Sequence, residues 1–314
     1  DTDRLQALAL DPKYLESEMG VVMEERRLSI DNSIRGALYE EIQALSYKAH
    51  PYQWPVLGWM SDLEGIDRED CVRYFRTYYA PNNAILIVAG DFDTAEALRL
   101  IHEKYDGIPA QEPPAPVRTR EPEQLGERRA NVHKVAELPE IRIAYHGPDT
   151  GSEDIFALDV LQEILTSGKS SRLYRELVRE AEAALYVYAS FGWGKDPDLL
   201  MFSAKMRPGH AALEAEETIY RVLEDVKAEG VTEEELARAK NILEADFVRS
   251  MQTVNGKASK IGRYEILFGD YRVIEQVPQK YRAVTAEDIK RVAAQYFSER
   301  RRNVVTLVPE TGEN

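Results

Sequence analysis

From Glu16 to Ala49 apolar residues recur at three- and four-residue steps, which predicts one long helix or two, and Arg68 to Tyr79 predicts another. A β-run follows, Ala84-Ile85-Leu86-Ile87-Val88-Ala89, closed by Gly90-Asp91. A helix over 94–105 completes this part. The stretch Pro113-Pro114-Ala115-Pro116 is stiff and extended by composition. It sets the expected division: a first domain over 1–112, a linker over 113–125 and a second domain over 126–314.

Beyond the linker, Arg129 to Tyr145 alternates as one or two strands would. Asp154 to Leu165 carries a helical apolar stripe through Phe156, Val160, Leu161 and Ile164. Ala184–Phe191 and Leu200–Met206 read as a hairpin. Four helices are predicted after it, near 210–228, 232–250, 253–267 and 285–297, with Thr232-Glu233-Glu234-Glu235 as a capping-box start. Asn303–Val308 is a last strand.

An internal echo organises these elements. Glu69-Asp70, Arg73, Tyr78-Tyr79 and Asn83-Ala84-Ile85 return as Glu287-Asp288, Arg291, Tyr296-Phe297 and Asn303-Val304-Val305. The offset is 288 − 70 = 218 for the helix and two more for the strand. A helix-then-strand unit repeated at domain-sized separation implies duplicated domains. Residues 1–112 are few beside 126–314, so part of the first domain is expected to be missing.

Composition narrows the function. Lys plus Arg number 40 against 55 Asp plus Glu, a net charge of −15, which disfavours a grip on nucleic-acid phosphates and would draw a basic peptide more readily. Plain solubility explains the same excess. No apolar run is long enough for a membrane helix. Cys71 is the only cysteine, so neither an internal disulfide nor a Cys-rich zinc knuckle is available. Asp1-Thr2-Asp3-Arg4 has neither the basic nor the apolar region of a secretory signal.

The candidate chemistry lies in Glu18-Met19-Gly20-Val21-Val22-Met23-Glu24-Glu25. Seven residues apart, Glu18 and Glu25 project from nearly one side of a helix, with Val21 and Val22 between them. The apolar pair predicts that this side turns inward with its carboxylates, which requires a metal or a positive partner. Met19, Met23, Arg26 and Arg27 are expected to meet solvent. An ordinary exposed helix with Glu–Arg pairs fits the same pattern.

These residues bring a family into view. Asp3-Arg4-Leu5 and Glu18 through Val21-Val22-Met23-Glu24-Glu25-Arg26-Arg27 resemble the segment that follows the inverted zinc motif, His-x-x-Glu-His, in M16 metallopeptidases of the pitrilysin and mitochondrial-processing-peptidase type. His50-Pro51-Tyr52 with Pro55 and Gly58 is similar to later landmarks of the same domain, as is Tyr79-Ala80-Pro81-Asn82-Asn83-Ala84 through Gly90-Asp91-Phe92. Leu165 through Gly168-Lys169-Ser170-Ser171-Arg172-Leu173-Tyr174, with Arg179 and Tyr186, resembles the Ser-Ser-Arg-Leu helix and Arg-x6-Tyr pair.

The resemblance implies an α+β fold: two related LuxS/MPP-like α/β sandwich domains with largely antiparallel sheets covered by helices, the first truncated at its N-terminus. It implies that Glu25 is a Zn2+ ligand, that Glu18 supports the site from behind, and that Arg179 and Tyr186 reach the substrate. Zinc in such a site lowers the pKa of bound water towards about 7. The reaction implied is endopeptidase cleavage of short extended peptides, taken up as an added strand between two similar domains.

His-x-x-Glu-His itself occurs nowhere. The histidines are His50, His102, His133, His146 and His210, none with another four residues away. In the family the motif precedes the glutamate helix, so here it falls before residue 1. The remaining zinc ligands are expected from that absent segment, and this chain alone is expected to be inactive. The expected partners are a peptide substrate and either a second M16-like chain, in a homodimer or heterodimer, or a complementing N-terminal segment. The competing function is a non-catalytic binding or structural subunit that supports an active partner. His50 reads as a turn residue and Gly168-Lys169-Ser170-Ser171 as a helix cap. Arg179 has a plainer reading too, as partner of Glu176 or Glu182.

Overall fold

The computed structural model describes residues 2–311. These fall into two compact units, Asp1–Ser33 with Pro55–Thr119 and Ile34–Trp54 with Arg120–Asn314. The early helical region therefore contributes to both.

In the first unit, α1 (Thr2–Ala7) precedes α2 (Pro12–Arg26). Asp11 starts α2 by accepting the Lys13 N–H at 2.9 Å, and Pro12 takes the first helical position, where its missing donor costs nothing. A π-turn at Arg27–Asp31 ends α2, so the helical region over 16–49 is two helices, the second being α3 (Ile34–Ser46). The short α4 (Met60–Gly65) is followed by α5 (Arg68–Tyr78) and α6 (Thr94–Tyr105). Periodicity did not reveal α1 or α4, each six residues long, because so short a helix completes less than two turns.

Arg26 fastens α2 within this unit. Its guanidinium is buried, donates to the Gly58 carbonyl at 2.7 Å, lies 3.4 Å from Asp31 and sits 5.4 Å over the Trp59 ring. Met19 and Met23 are half-buried.

Ala84–Ala89 departs from expectation. Its backbone is extended at Ala84 but no strand forms, because among the described residues of this unit nothing offers a ladder. Ile85, Leu86 and Val88 are left about half exposed.

The second unit is built on five strands: β1 (Arg128–Val135), β2 (Glu140–His146), β3 (Ala184–Phe191), β4 (Leu199–Met206) and β5 (Asn303–Glu310). Their order is β1-β5-β2-β4-β3, with only β1 and β5 parallel. Both faces are covered, and the strands divide their side chains by parity. Ile141, Ile143, Tyr145, Leu200, Phe202 and Ala204 join the larger core, beneath α7 (Asp154–Thr166), α8 (Ala212–Glu229) and α12 (Ala286–Tyr296). Ala144, Leu199, Val305 and Leu307 turn the other way and meet Leu38, Ile42 and Tyr47 from α3 and its end. Between α8 and α12 lie α9 (Glu233–Ser250), α10 (Val254–Phe268) and the unforeseen α11 (Val277–Ala283).

The internal echo is structural. Helices α5 and α12 each have eleven residues and each opens with a capping box, Asp67 with Asp70 and Thr285 with Asp288. Each leaves the helix through an aromatic residue of nearly identical backbone, Tyr79 at φ −95°, ψ 53° and Phe297 at φ −98°, ψ 56°. Each then makes a 3-10 turn, Pro81–Asn83 or Glu299–Arg301. The second copy continues into β5, hydrogen-bonded on both sides, while the first continues into the unpaired Ala84–Ala89.

One carboxyl in the larger core is held at an unusual pKa. Asp159 on α7 accepts Trp193 Nε1–H at 3.1 Å and Tyr281 Oη–H at 2.6 Å. Part of Asp159 still touches solvent, yet the packing around its carboxyl pushes the pKa up to about 6. The folded value lies above the unfolded one, about 3.9, so stability from this group is full below pH 4 and lost as pH rises through 6. The full loss is on the order of 3 kcal/mol. Urea midpoints compared at pH 4.5 and 6.5 are expected to show this decline relative to Asp159→Asn; identical slopes in the two proteins would refute it. In the first unit, Arg26→Ala is expected to lower the hydrogen-exchange protection of α2 amides by about 2 kcal/mol. Unchanged protection would remove the fastening role.

Candidate functional site

The candidate residues lie on both units. Helix α2 carries Glu18 and Glu25, and the expectation for its orientation is corrected. Both glutamates are exposed, and Val21 and Leu28 beside them are 58% and 70% exposed. The packed side is that of Met19, Met23 and Arg26, which was expected to face water. The reason is local: Arg26 finds Gly58 and Trp59 next to α4, while the acid-bearing face finds no partner among the described residues of its unit. Carboxylates left there stay hydrated and cost nothing, whereas Val21 and Leu28 remain uncovered apolar surface.

Glu25 lines a shallow trough of about 740 Å³ with Gly20, Val21, Glu24 and Leu28. The Glu25 carbonyl accepts the Ser29 hydroxyl at 2.6 Å where the π-turn begins. Insertions of this kind recur at functional positions because they re-aim the residues around them. Glu24 pairs with Arg27 at 2.6 Å on the surface, which is the plain Glu–Arg pairing the sequence also allowed. Among the described residues no group of three or more His, Cys, Asp or Glu side chains is gathered to hold a metal. Glu25 offers one carboxylate ligand, and zinc needs at least two further protein ligands. The described residues therefore do not make a zinc site by themselves.

In the second unit, Arg179 lies in a second π-helical stretch, Tyr174–Glu180. Its guanidinium meets Glu180 at 3.2 Å and is 59% exposed. Neither partner expected for it is used: Glu176 pairs with Arg221, and Glu182 lies 4.0 Å from Arg207. Arg179 is thus held only by a solvent-exposed neighbour, a weak tie.

Between Arg179 and Tyr186 the chain turns through Glu182 at φ 49°, a left-handed conformation uncommon for a side-chain-bearing residue. The Ala183 N–H reaches back to the Leu177 carbonyl at 2.9 Å, and β3 then begins with a register shift between Ala184 and Tyr186. The bulge re-aims Tyr186. Burial pushes the Tyr186 phenol well above its usual pKa, and the nearby negative charge of Glu140 pushes it further. The hydroxyl stays protonated. Glu140 and Arg142, both buried on β2, lie 3.8 Å apart. Sequence reading missed this arrangement, although two charges spaced i, i+2 in the apolar run Glu140–His146 were its signal.

The Ser-Ser-Arg-Leu landmark has a structural role. Gly168 turns at φ 75°, and the Ser171 hydroxyl donates to the Gly168 carbonyl at 2.8 Å, closing the turn before the next helix. Arg172 grips Glu235 with two bonds of 2.7 Å, Glu235 also completes the capping box of α9, and its carboxyl is held down at about 2. Leu173 is fully buried in the larger core. His50, read as a turn residue, caps the 3-10 turn Pro51–Gln53 by accepting the Tyr52 N–H at 3.3 Å.

Comparison with known proteins agrees with this architecture. Residues 65–243 match the family described as Peptidase M16 inactive domain. Zinc protease PqqE of Helicobacter pylori is 30% identical over 93% of this chain, which spans 66% of that protein. The beta subunit of the mitochondrial-processing peptidase of Lentinula edodes is 23% identical over 95% of this chain, and this chain spans 66% of it. The crystal structure of a protease from Helicobacter pylori superposes with a TM-score of 0.93 at 30% identity, covering 98% of this chain and 74% of that one. The matched family model spans more than half the sequence, and its relatives are named zinc proteases, so this chain belongs to the M16 peptidase family.

Proposed function

We propose that this chain is one part of an M16 zinc-dependent endopeptidase for short, extended peptides, inactive alone and completed by polypeptide that bears His-x-x-Glu-His. The observation that carries this reading is the unpaired run Ala84–Ala89. Its counterpart β5 sits between two strands with Val304, Val305 and Leu307 buried, whereas Ile85, Leu86 and Val88 stay half exposed. An edge of that kind calls for added strands, and a polypeptide supplying them is a natural carrier of the missing motif. The uncovered Val21 and Leu28 beside Glu25 point the same way.

In this reading the Glu25 carboxylate ligates zinc and Glu18 supports it. Arg179, weakly tethered, and Tyr186, protonated, contact the substrate. The arriving chain supplies the imidazoles.

A second reading is a non-catalytic subunit that supports an active M16 partner. It is favoured by the family description, which is of an inactive domain.

Mixing this chain with a polypeptide containing the His-x-x-Glu-His segment, zinc and a fluorescence-quenched peptide tests both. Cleavage is expected from the mixture and from neither component, with Glu25→Gln lowering it by at least a thousandfold, about 4 kcal/mol of barrier. Full activity in Glu25→Gln would sink the ligand assignment. A complex that forms but never cleaves would establish the supporting subunit instead.

A further inference from the structure

A cavity of about 570 Å³ opens in the second unit beside the turn that joins α9 to α10, and its lining includes none of Glu18, Glu25, Arg179 and Tyr186. Its walls are aromatic: Trp193, Phe247, Tyr264 and Tyr281. Trp193 and Tyr264 contact edge to face with centroids 6.2 Å apart. The volume falls within the range that encloses one or two amino-acid residues.

The polar side of the cavity is cationic. Lys260 and Arg263 lie three apart on α10, so both project from one side of the helix. Lys260 is half-buried with its Nζ 5.7 Å over the Phe247 ring, and Arg263 makes one long bond, 3.4 Å, to the Trp193 carbonyl. Among the described residues neither has a carboxylate at ion-pair distance. Burial and the neighbouring Arg263 push the Lys260 pKa down, against an opposing pull from Asp159. The acids of the cavity are otherwise occupied. Both Asp159 oxygens are taken by Trp193 and Tyr281, and Asp246 pairs with Arg249. Half-buried Lys260 and exposed Arg263, neither in an ion pair among the described residues, beside an aromatic wall suit an anion with an apolar body.

We propose that this cavity binds an α-carboxylate carried next to a large apolar side chain, the side chain against the aromatic wall and the carboxylate on Lys260 and Arg263. A peptide C-terminus and a free acylated amino acid both present that chemistry.

Isothermal titration of the full chain distinguishes them, with N-acetyl-L-phenylalanine, its carboxamide, and the peptide Ala-Ala-Ala-Phe with free or amidated C-terminus as probes. Each free acid is expected to bind at least tenfold more tightly than its amide. The double variant Lys260→Gln, Arg263→Gln is expected to erase that difference while its circular dichroism is unchanged. Lys260→Arg, which keeps the charge, is expected to restore binding to within about threefold. Equal affinities for the free and amidated peptide with a preference kept for N-acetyl-L-phenylalanine would assign the site to free acylated amino acids. Equal affinities for acid and amide in both pairs, or no binding at millimolar concentration, would overturn the proposal.

Discussion

A β-strand is half a structure: its N–H and C=O groups point sideways and must be answered by neighbours. This chain meets that requirement once and leaves it open once. The same capped helix, the same exit through an aromatic residue and the same 3-10 turn deliver two apolar segments. Asn303–Glu310 enters a sheet and buries Val304, Val305 and Leu307, whereas Ala84–Ala89 enters none. Equivalent local sequence thus gives two outcomes, and the difference is made by the availability of ladder partners. The first unit's exposed apolar residues and the outward face of α2 follow from the same shortage.

That shortage explains which expectations held. The second unit was legible almost throughout, because its strands and helices are packed on both sides and their hydrophobic periods report real neighbours. The hairpin of β3 and β4, the four helices after it and β5 were all found by period and capping alone. The first unit was legible as helices but not as surface. Val21 and Val22 in a helix ordinarily mark an inward side, yet nothing in this unit lies against Val21, and Arg26 took the inward position through its carbonyl and indole contacts. A hydrophobic pattern records what a residue is suited to meet, and only the fold says whether that neighbour is present.

The family resemblance was legible as an ordered series of landmarks, and the structure separates their tasks. Arg172 and Leu173 secure the fold, the first through Glu235 and the second in the core. Arg179 and Tyr186 differ: one is loosely held, the other follows a strained turn and a bulge. The π-turns after Glu25 and around Arg179 had no signature in the sequence, since each is a single irregular turn with no residue-type preference of its own. The nearness of Glu140 to Tyr186 was equally hidden because they are forty-odd residues apart in the chain, on strands that β4 separates.

The route of the backbone carries its own consequence. Ile34–Trp54 belongs to the unit otherwise formed by Arg120–Asn314, so the chain leaves and re-enters the first unit before the proline-rich stretch is reached. A single cut in that stretch would therefore not release the second unit whole. The excised C-terminal piece would surrender α3, stripping Leu38, Ile42 and Tyr47 from Ala144, Leu199, Val305 and Leu307 and turning one face of its sheet into sticky, water-facing hydrocarbon.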